Sequence, residues 1–199
     1  MLGGKIGVLV GDVSGKGLEA AVLTSIIKDT IKAYAHDTSS PSVAIARANV
    51  ALGEAARLPD FASVFYAVVD GEHNSLTYCN AGHPPAAVIG LDGSVRLLGG
   101  TSPVIGAFRD LAYEESTMPL ELSETVLLYT DGVTEARNVD GAFFTEEGLV
   151  ATLKSADTTD VATLPTKVLA AVMEFTEGRL TDDIALLAFR HVKPPPSLR

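Results

Sequence analysis

The chain has 199 residues, of which 47% are hydrophobic and 20% charged, a balance typical of one globular domain rather than of a disordered segment. Its formal net charge of −10 argues against a broad nucleic-acid surface, which would need clustered Lys and Arg. No apolar run reaches the roughly 18 residues of a membrane span. The first residues, MLGGKIG, lack the pattern of a signal peptide, and the single cysteine, Cys79, excludes an internal disulfide framework. We therefore expect a cytoplasmic protein without a membrane or nucleic-acid partner.

The first half of the chain mixes helical and strand-like patterns. Residues 6–10 (IGVLV) suit a buried strand, and residues 18–35 carry apolar side chains at helical spacing. Ser40 is a suitable N-cap with Pro41 at the first helical position, so a second helix is predicted to about residue 57. Strand-like segments follow at 61–70, 75–81, 86–90 and 94–98, with the hairpin turns DGEHN and LDGS among them.

The second half begins with a looser stretch that holds one more strand near 111–118. A strand at 124–132 comes next, then helices at 145–156 and 161–178, and a last strand at 182–192. Thr145 caps the first of these helices and Gly178 ends the second. This order predicts a single mixed α/β domain over 1–192 with its sheets inside, and a disordered tail at 193–199.

Aspartates stand at the ends of three apolar segments. Asp12 follows GVLVG, and Asp131 follows VLLYT. Asp182 stands before IALLAF, with Asp183 between them. Burying an isolated carboxylate costs several kcal/mol unless it is paired or metal-bound, and such hard oxygen ligands suit Mg²⁺ or Mn²⁺. Two ions about 3.5–4 Å apart would activate a water and clamp a phosphate oxygen. The alternative is that these aspartates are turn residues, because Asp before Gly is common in turns.

The segment GDVSGKG invites comparison with a phosphate-cradling loop. That loop needs four residues between its first glycine and Gly-Lys, followed by Ser or Thr. Here Gly11 and Gly15 enclose only three residues, and Gly17 follows Lys16. The nucleotide-loop interpretation is therefore disfavoured, and we expect Lys16 to lie in a solvated turn.

Four motifs in this order resemble the PP2C class of metal-dependent protein serine/threonine phosphatases: GDVSGKG, NAGHPP, LLYTDGVTEA and TDDIALLAF. The resemblance is to the bacterial sporulation and stress-response branch, the SpoIIE and RsbU type, and extends from about Ile6 to Val192. It implies an α-β-β-α four-layer sandwich, an α+β fold in which two antiparallel sheets are flanked by helix pairs. It also implies a centre of two Mn²⁺ or Mg²⁺ ions.

The resemblance also implies roles for particular residues. Asp12 would bridge both ions and the backbone carbonyl of Val13 would complete part of the second ion's shell. Asp131 and Asp182 would bind the other ion, with Asp183 in a supporting role at most. Asp12, Asp131 and Asp182 would then act catalytically through a metal-bound hydroxide that attacks phosphorus directly. His83, in NAGHPP, is expected to brace a loop rather than to move protons. His191, near the end of the last predicted strand, is expected at the surface.

The same resemblance suggests partners and one departure. The usual substrates of this branch are phosphorylated STAS-type anti-sigma-factor antagonists, and sensor domains or activators often lie upstream. Family members carry a GGDYYD-like metal-binding segment before GDVSGKG, whereas only eleven residues precede Asp12 here. We therefore expect the first strand or strands and one metal ligand to be absent, and an unpaired sheet edge to favour a homodimer. The alternative function is a catalytically impaired PP2C-fold regulatory or binding module.

Overall fold

The computed structural model describes residues 4–55 and 61–192. Within those ranges the chain divides into two compact units. The first unit contains the residues up to His83 together with 99–121, and the second contains 84–98 and 122–192. The elements in chain order are β1 (Ile6–Val13), α1 (Leu18–Tyr34), α2 (Pro41–Ala55), β2 (Ala62–Asp70), β3 (Ser75–Ala81), β4 (Ala86–Ile89), β5 (Val95–Leu98), β6 (Ser116–Pro119), β7 (Thr125–Tyr129), α3 (Thr145–Ser155), α4 (Leu164–Phe175) and β8 (Leu186–Arg190).

The first unit is a four-stranded sheet with a helix pair on one face. All its strand pairs are antiparallel, in the order β1-β2-β3-β6. Helix α1 buries Leu23, Ile27 and Ile31, which recur every fourth residue and so share one face of the helix. These side chains pack with alternate residues of β2, including Val64 and Tyr66, because alternate strand residues point to the same side of a sheet.

The second unit repeats this plan with different elements. Its antiparallel sheet has the order β5-β4-β7-β8. Helix α4 buries Leu164, Val168 and Val172 at the same fourfold spacing. They pack with Leu127 and Tyr129, two residues apart on β7. The predicted α+β class, with two antiparallel sheets and flanking helix pairs, is confirmed.

Most predicted elements are present with shifted ends. The two hairpin turns join β2 to β3 and β4 to β5. Ser40 caps α2, since the Val43 amide donates to its hydroxyl over 3.4 Å. The helix predicted at 161–178 is a 3₁₀ turn at Val161–Thr163 followed by α4, and the last strand is shorter than its predicted range. Residues 56–57 of the second predicted helix and the tail 193–199 lie outside the described residues.

The prediction that the first strand is buried was wrong. Strand β1 pairs with β2 and lies at the edge of its sheet. Ile6 is 55% exposed, and Gly7 and Gly11 have no side chain to bury. An apolar run alone does not distinguish a central strand from an edge strand, because both bury residues on one face.

The loop before β6 is anchored to α2 by one buried amide. The Asn49 side chain accepts a hydrogen bond from the Gly106 amide over 2.7 Å. It donates to the carbonyl oxygens of Phe108 and Arg109 over 2.9 and 3.2 Å. Ile105, next to this anchor, is fully buried in the first unit's core. The Gly106 backbone is therefore fixed at its nitrogen by the Asn49 side chain.

We expect Asn49→Ala to lower the free energy of unfolding by about 2–3 kcal/mol, because it leaves backbone groups of the loop without their partner. Urea denaturation measures this loss. Val50→Ala, on the exposed side of the same helix, is the matched control and should change stability by less than about 0.5 kcal/mol. Equal effects of the two substitutions would show that the loop does not depend on Asn49.

Asp70 closes the β2–β3 hairpin as a charged cap. Its carboxylate accepts hydrogen bonds from the Glu72 and His73 amides over 3.1 Å each, and lies 2.9 Å from His73 Nδ1. The Lys5 ammonium lies 3.3 Å away. Burial raises the pKa of Asp70, but the hydrogen bonds from His73 and Lys5 outweigh it and lower the pKa to about 2.

This cap predicts a pH dependence of stability. The folded-state pKa of Asp70 lies below the value of about 3.9 for an unfolded aspartate, so its contribution is complete above about pH 4. The contribution is lost as the pH falls from about 4 towards 2. Urea midpoints at pH 6 and pH 3 should therefore differ less in Asp70→Asn than in the parent chain. An unchanged difference would assign the acid sensitivity to other carboxylates.

Candidate active site

Asp12 lies near the end of β1 in the first unit. It is paired in register with Ser63 of β2, and one of its carboxylate oxygens accepts a hydrogen bond from the Val13 amide over 2.9 Å. Gly15 and Gly17 follow with φ of +98° and +85°, values that favour glycine and turn the chain into α1. Lys16, between them, is exposed, as the sequence predicts.

Asp131 and Asp182 lie at one end of the second unit's sheet. Tyr129 of β7 pairs with Leu186 of β8, so the residues after β7 adjoin those before β8. Thr130 joins the two loops: its amide donates to the Ala185 carbonyl over 3.1 Å, and its hydroxyl accepts from the Ala185 amide over 2.9 Å. The Thr130 hydroxyl also lies 3.2 Å from the Asp183 carbonyl oxygen, to which it donates.

Gly132 makes this close approach of the two loops sterically allowed. A Cβ atom built at residue 132 would lie 2.4 Å from the Asp183 carbonyl oxygen, well inside van der Waals contact. The glycine after Asp131 is therefore required by packing, not only by turn geometry. It keeps the loop that carries Asp131 against the loop that carries Asp182 and Asp183.

One premise of the sequence argument was wrong. The carboxylates were expected to be buried, yet Asp12 and Asp182 are exposed and Asp131 is half-buried. Strand ends lie where a sheet meets solvent, so an aspartate there does not carry the desolvation cost of a core position. What distinguishes these residues is their placement at strand ends.

The donor atoms fit a hard divalent cation. Asp131 and Asp182 supply carboxylate oxygens from adjoining loops, and Mg²⁺ is often bound by one or two carboxylates that are completed by water. Across 4–55 and 61–192, no three His, Cys, Asp or Glu side chains are grouped closely enough to hold an ion by themselves. The ligand roles of Asp12, the Val13 carbonyl, Asp131 and Asp182 stay predictions, as does the supporting role of Asp183.

The histidines differ from one another in burial. His83 braces the strand ends of the first unit, as expected: its Nδ1 lies 2.8 Å from the Ser63 hydroxyl, and its amide donates to Asn80 Oδ1 over 2.8 Å. His191 was expected at the surface but is only 6% exposed, because its backbone bonds to Ser123 and Glu124 hold it against the sheet. Ser63 was not predicted as a site residue, because its only signal in the sequence is a hydroxyl within the apolar strand FASVFY.

Comparison with solved structures identifies the fold. The phosphatase domain of SpoIIE from Bacillus subtilis superposes with a TM-score of 0.81 at 16% identity, over 94% of this chain and 54% of that one. The SiaA PP2C domain of Pseudomonas aeruginosa superposes with a TM-score of 0.76 at 23% identity, over 94% of this chain and 80% of that one. The fold is that of the PP2C phosphatases. Other structures with this fold contain magnesium (RsbX) or two manganese ions (PstP), with TM-scores of 0.64 and 0.66.

Sequence comparison narrows the class to a family. The profile of the family described as stage II sporulation protein E (SpoIIE) matches residues 3–192. The chain belongs to this family of PP2C-type serine/threonine phosphatases. Two curated relatives from Bacillus subtilis are named phosphoserine phosphatases. RsbU is 25% identical over 186 residues, or 93% of this chain, and RsbP is 31% identical over 137 residues, or 66%. The chain spans 55% of RsbU and 34% of RsbP.

We expect Gly132→Ala to destabilise the chain by about 1–3 kcal/mol, because the added methyl group forces the two aspartate loops apart. Urea denaturation and Mn²⁺ titration should both detect the change, the second as weaker binding. Gly148→Ala, within α3, is the control: its Cβ would meet its nearest neighbour at an ordinary 3.5 Å, and alanine favours the helix. Equal stability of the two variants would show that the loops tolerate separation.

Proposed function

We propose that this chain hydrolyses phosphoserine and phosphothreonine on a regulatory protein, in a reaction that depends on Mn²⁺ or Mg²⁺. The observation that carries the proposal is the packing of the Asp131 loop against the Asp182 loop, held by Thr130 and permitted by Gly132. Family membership supports it, as do the relatives named phosphoserine phosphatases.

The proposed metal ligands are the carboxylates of Asp12, Asp131 and Asp182 and the carbonyl of Val13. The Thr130 hydroxyl ties the loop after β7 to the backbone of Asp183 and Ala185 before β8, so the loops that carry Asp131 and Asp182 are held together before an ion binds. Two bound ions would supply Lewis acidity and neutralise charge on the phosphoryl oxygens. The role of the chain's own residues would be to hold the ions and to orient them, so that the three aspartates act on the phosphate only through the ions.

The proposed substrate class is a phosphorylated STAS-type antagonist of an anti-sigma factor, which would give the chain a role in sigma-factor and stress-response control. This class follows from the resemblance to the SpoIIE and RsbU branch. An upstream sensor domain or activator and a homodimer belong to the same proposal, as does a cytoplasmic location. No helix within the described ranges is long and apolar enough to cross a membrane.

The activity test is hydrolysis of p-nitrophenyl phosphate with and without millimolar Mn²⁺. We expect turnover that needs Mn²⁺ and falls by roughly 100-fold or more in Asp131→Ala and in Asp12→Ala, because each removes a ligand of the ions that carry the reaction. Asp140→Ala removes an exposed aspartate from the same unit and should keep full activity. Full activity of Asp131→Ala would exclude the proposed site.

The substrate test compares a phosphorylated STAS protein with phosphotyrosine and phosphoserine peptides. Release of phosphate from the STAS protein should be fastest, with the phosphotyrosine peptide slowest. Absence of turnover on every substrate, with Mn²⁺ bound, would favour the regulatory or binding module instead.

A further inference from the structure

Ser63 stands directly opposite Asp12 on the neighbouring strand. The two residues are register partners in the antiparallel β1–β2 pair, so their side chains project from the same face of the sheet. Directly opposed Cβ atoms lie about 4.5–5.5 Å apart, which brings a serine hydroxyl within reach of an aspartate carboxylate. Ser63 is therefore the nearest cross-strand hydroxyl to the carboxylate that is the proposed metal bridge.

The Ser63 hydroxyl is itself fixed in place. His83 Nδ1 lies 2.8 Å from Ser63 Oγ, and the His83 ring is 6% exposed. The His83 backbone is fixed in turn, because its amide donates to the side chain of Asn80, which is fully buried. Thr101 holds Asn80 through a hydrogen bond from the Asn80 amide to the Thr101 hydroxyl over 3.0 Å. A serine on a strand would otherwise sample three rotamers.

We propose that Ser63, held by His83, is a positioning residue for Asp12. His83 Nδ1–H donates to Ser63 Oγ, and the Ser63 hydroxyl in turn donates to the Asp12 carboxylate. The Asp12 carboxylate is then restricted on two sides, by the Ser63 hydroxyl and by the Val13 amide. Carboxylates that bind metals are commonly held by such hydrogen bonds, whose loss weakens metal affinity about 10- to 100-fold.

The inference deepens the proposed function and rests on it in one respect, that Asp12 binds the ion. It adds two residues, Ser63 and His83, to which the sequence argument gave no part in metal binding. Neither is proposed to touch the ion or the phosphate. Their effect on the reaction would pass through the orientation of Asp12.

The test is a titration of the full chain with Mn²⁺, in which electron paramagnetic resonance measures the concentration of free Mn²⁺. Ser63→Ala should weaken Mn²⁺ binding about tenfold, and Ser63→Thr, which keeps the hydroxyl, should restore it. Ser63→Ala also leaves the buried His83 Nδ1 without this partner and should lower the unfolding temperature of the metal-free chain, so Mn²⁺ affinity is measured well below that temperature, where every variant is folded. A merely structural role would lower the unfolding temperature without weakening Mn²⁺ binding to the folded chain. Thr77→Val removes another strand hydroxyl of the same sheet, bonded to Thr117 over 3.0 Å, and should leave Mn²⁺ affinity unchanged.

Comparison with Asp12→Ala separates failure of the positioning role from failure of the proposed function. Asp12→Ala sets the reference: if it weakens Mn²⁺ binding and Ser63→Ala does not, the positioning role is wrong while the proposed function stands. If neither variant changes Mn²⁺ binding, the ligand role of Asp12 is wrong and the inference falls with it. Loss of turnover in Ser63→Ala with unchanged Mn²⁺ affinity would make Ser63 a catalytic group and overturn the proposal.

His83→Phe tests the pair as a unit. It keeps a ring of similar shape but removes Nδ1, and should weaken Mn²⁺ binding about as much as Ser63→Ala. Residues that act through one hydrogen-bond chain are non-additive, so the double variant should be no weaker than either single one. Additive losses of Mn²⁺ affinity would contradict a single hydrogen-bond chain that runs from His83 through Ser63 to Asp12. If His83→Phe does not fold, the comparison of Ser63→Ala with Ser63→Thr decides the question.

Discussion

Antiparallel pairing is the constraint on which the candidate site depends. In an antiparallel pair the end of one strand lies beside the beginning of the other. The residues after β7 must therefore meet the residues before β8, which is how Asp131 comes to adjoin Asp182 although they are far apart in sequence. The same rule sets Asp12, at the end of β1, opposite Ser63, at the beginning of β2. Both sheets thus place chemically useful side chains by register alone, and the loops need only hold what the strands have aligned.

This constraint also explains which parts of the site could be predicted. Aspartates at the ends of apolar runs are visible in the sequence, and so are the glycines beside them. Which strands are neighbours is not visible, because register depends on contacts between distant segments. Ser63 shows the limit: within FASVFY it is one polar residue in an apolar strand, and its value appears only when β1 and β3 are placed beside β2. His83 lies in a motif that is visible in the sequence, but its contact with Ser63 is not.

The fold was predictable to a similar depth. Sequence patterns located the helices and most strands, because the fourfold spacing in α1 and α4 and the apolar run of β2 are strong local signals. Burial was harder. The apolar run of β1 reads as a core strand but lies at a sheet edge, and His191 reads as a surface residue but is buried. In both cases the deciding contacts are made by residues distant in sequence, about which local pattern carries no information.

The division of the chain into two interleaved units constrains how it can be made. The first unit is completed only when residues 99–121 are added to the segment that ends at His83, and the second begins with 84–98 but needs 122–192. During synthesis β1, β2 and β3 can pair with one another, but one edge of β3 stays unpaired until β6 is made. Neither unit corresponds to a continuous stretch that could be excised as an independent fragment. A nick near residue 99 or residue 122 would cut one of the chain crossings between the units without removing any strand. The sheet of each unit would keep its strand pairing, so the two fragments should remain associated after cleavage if the chain has already folded.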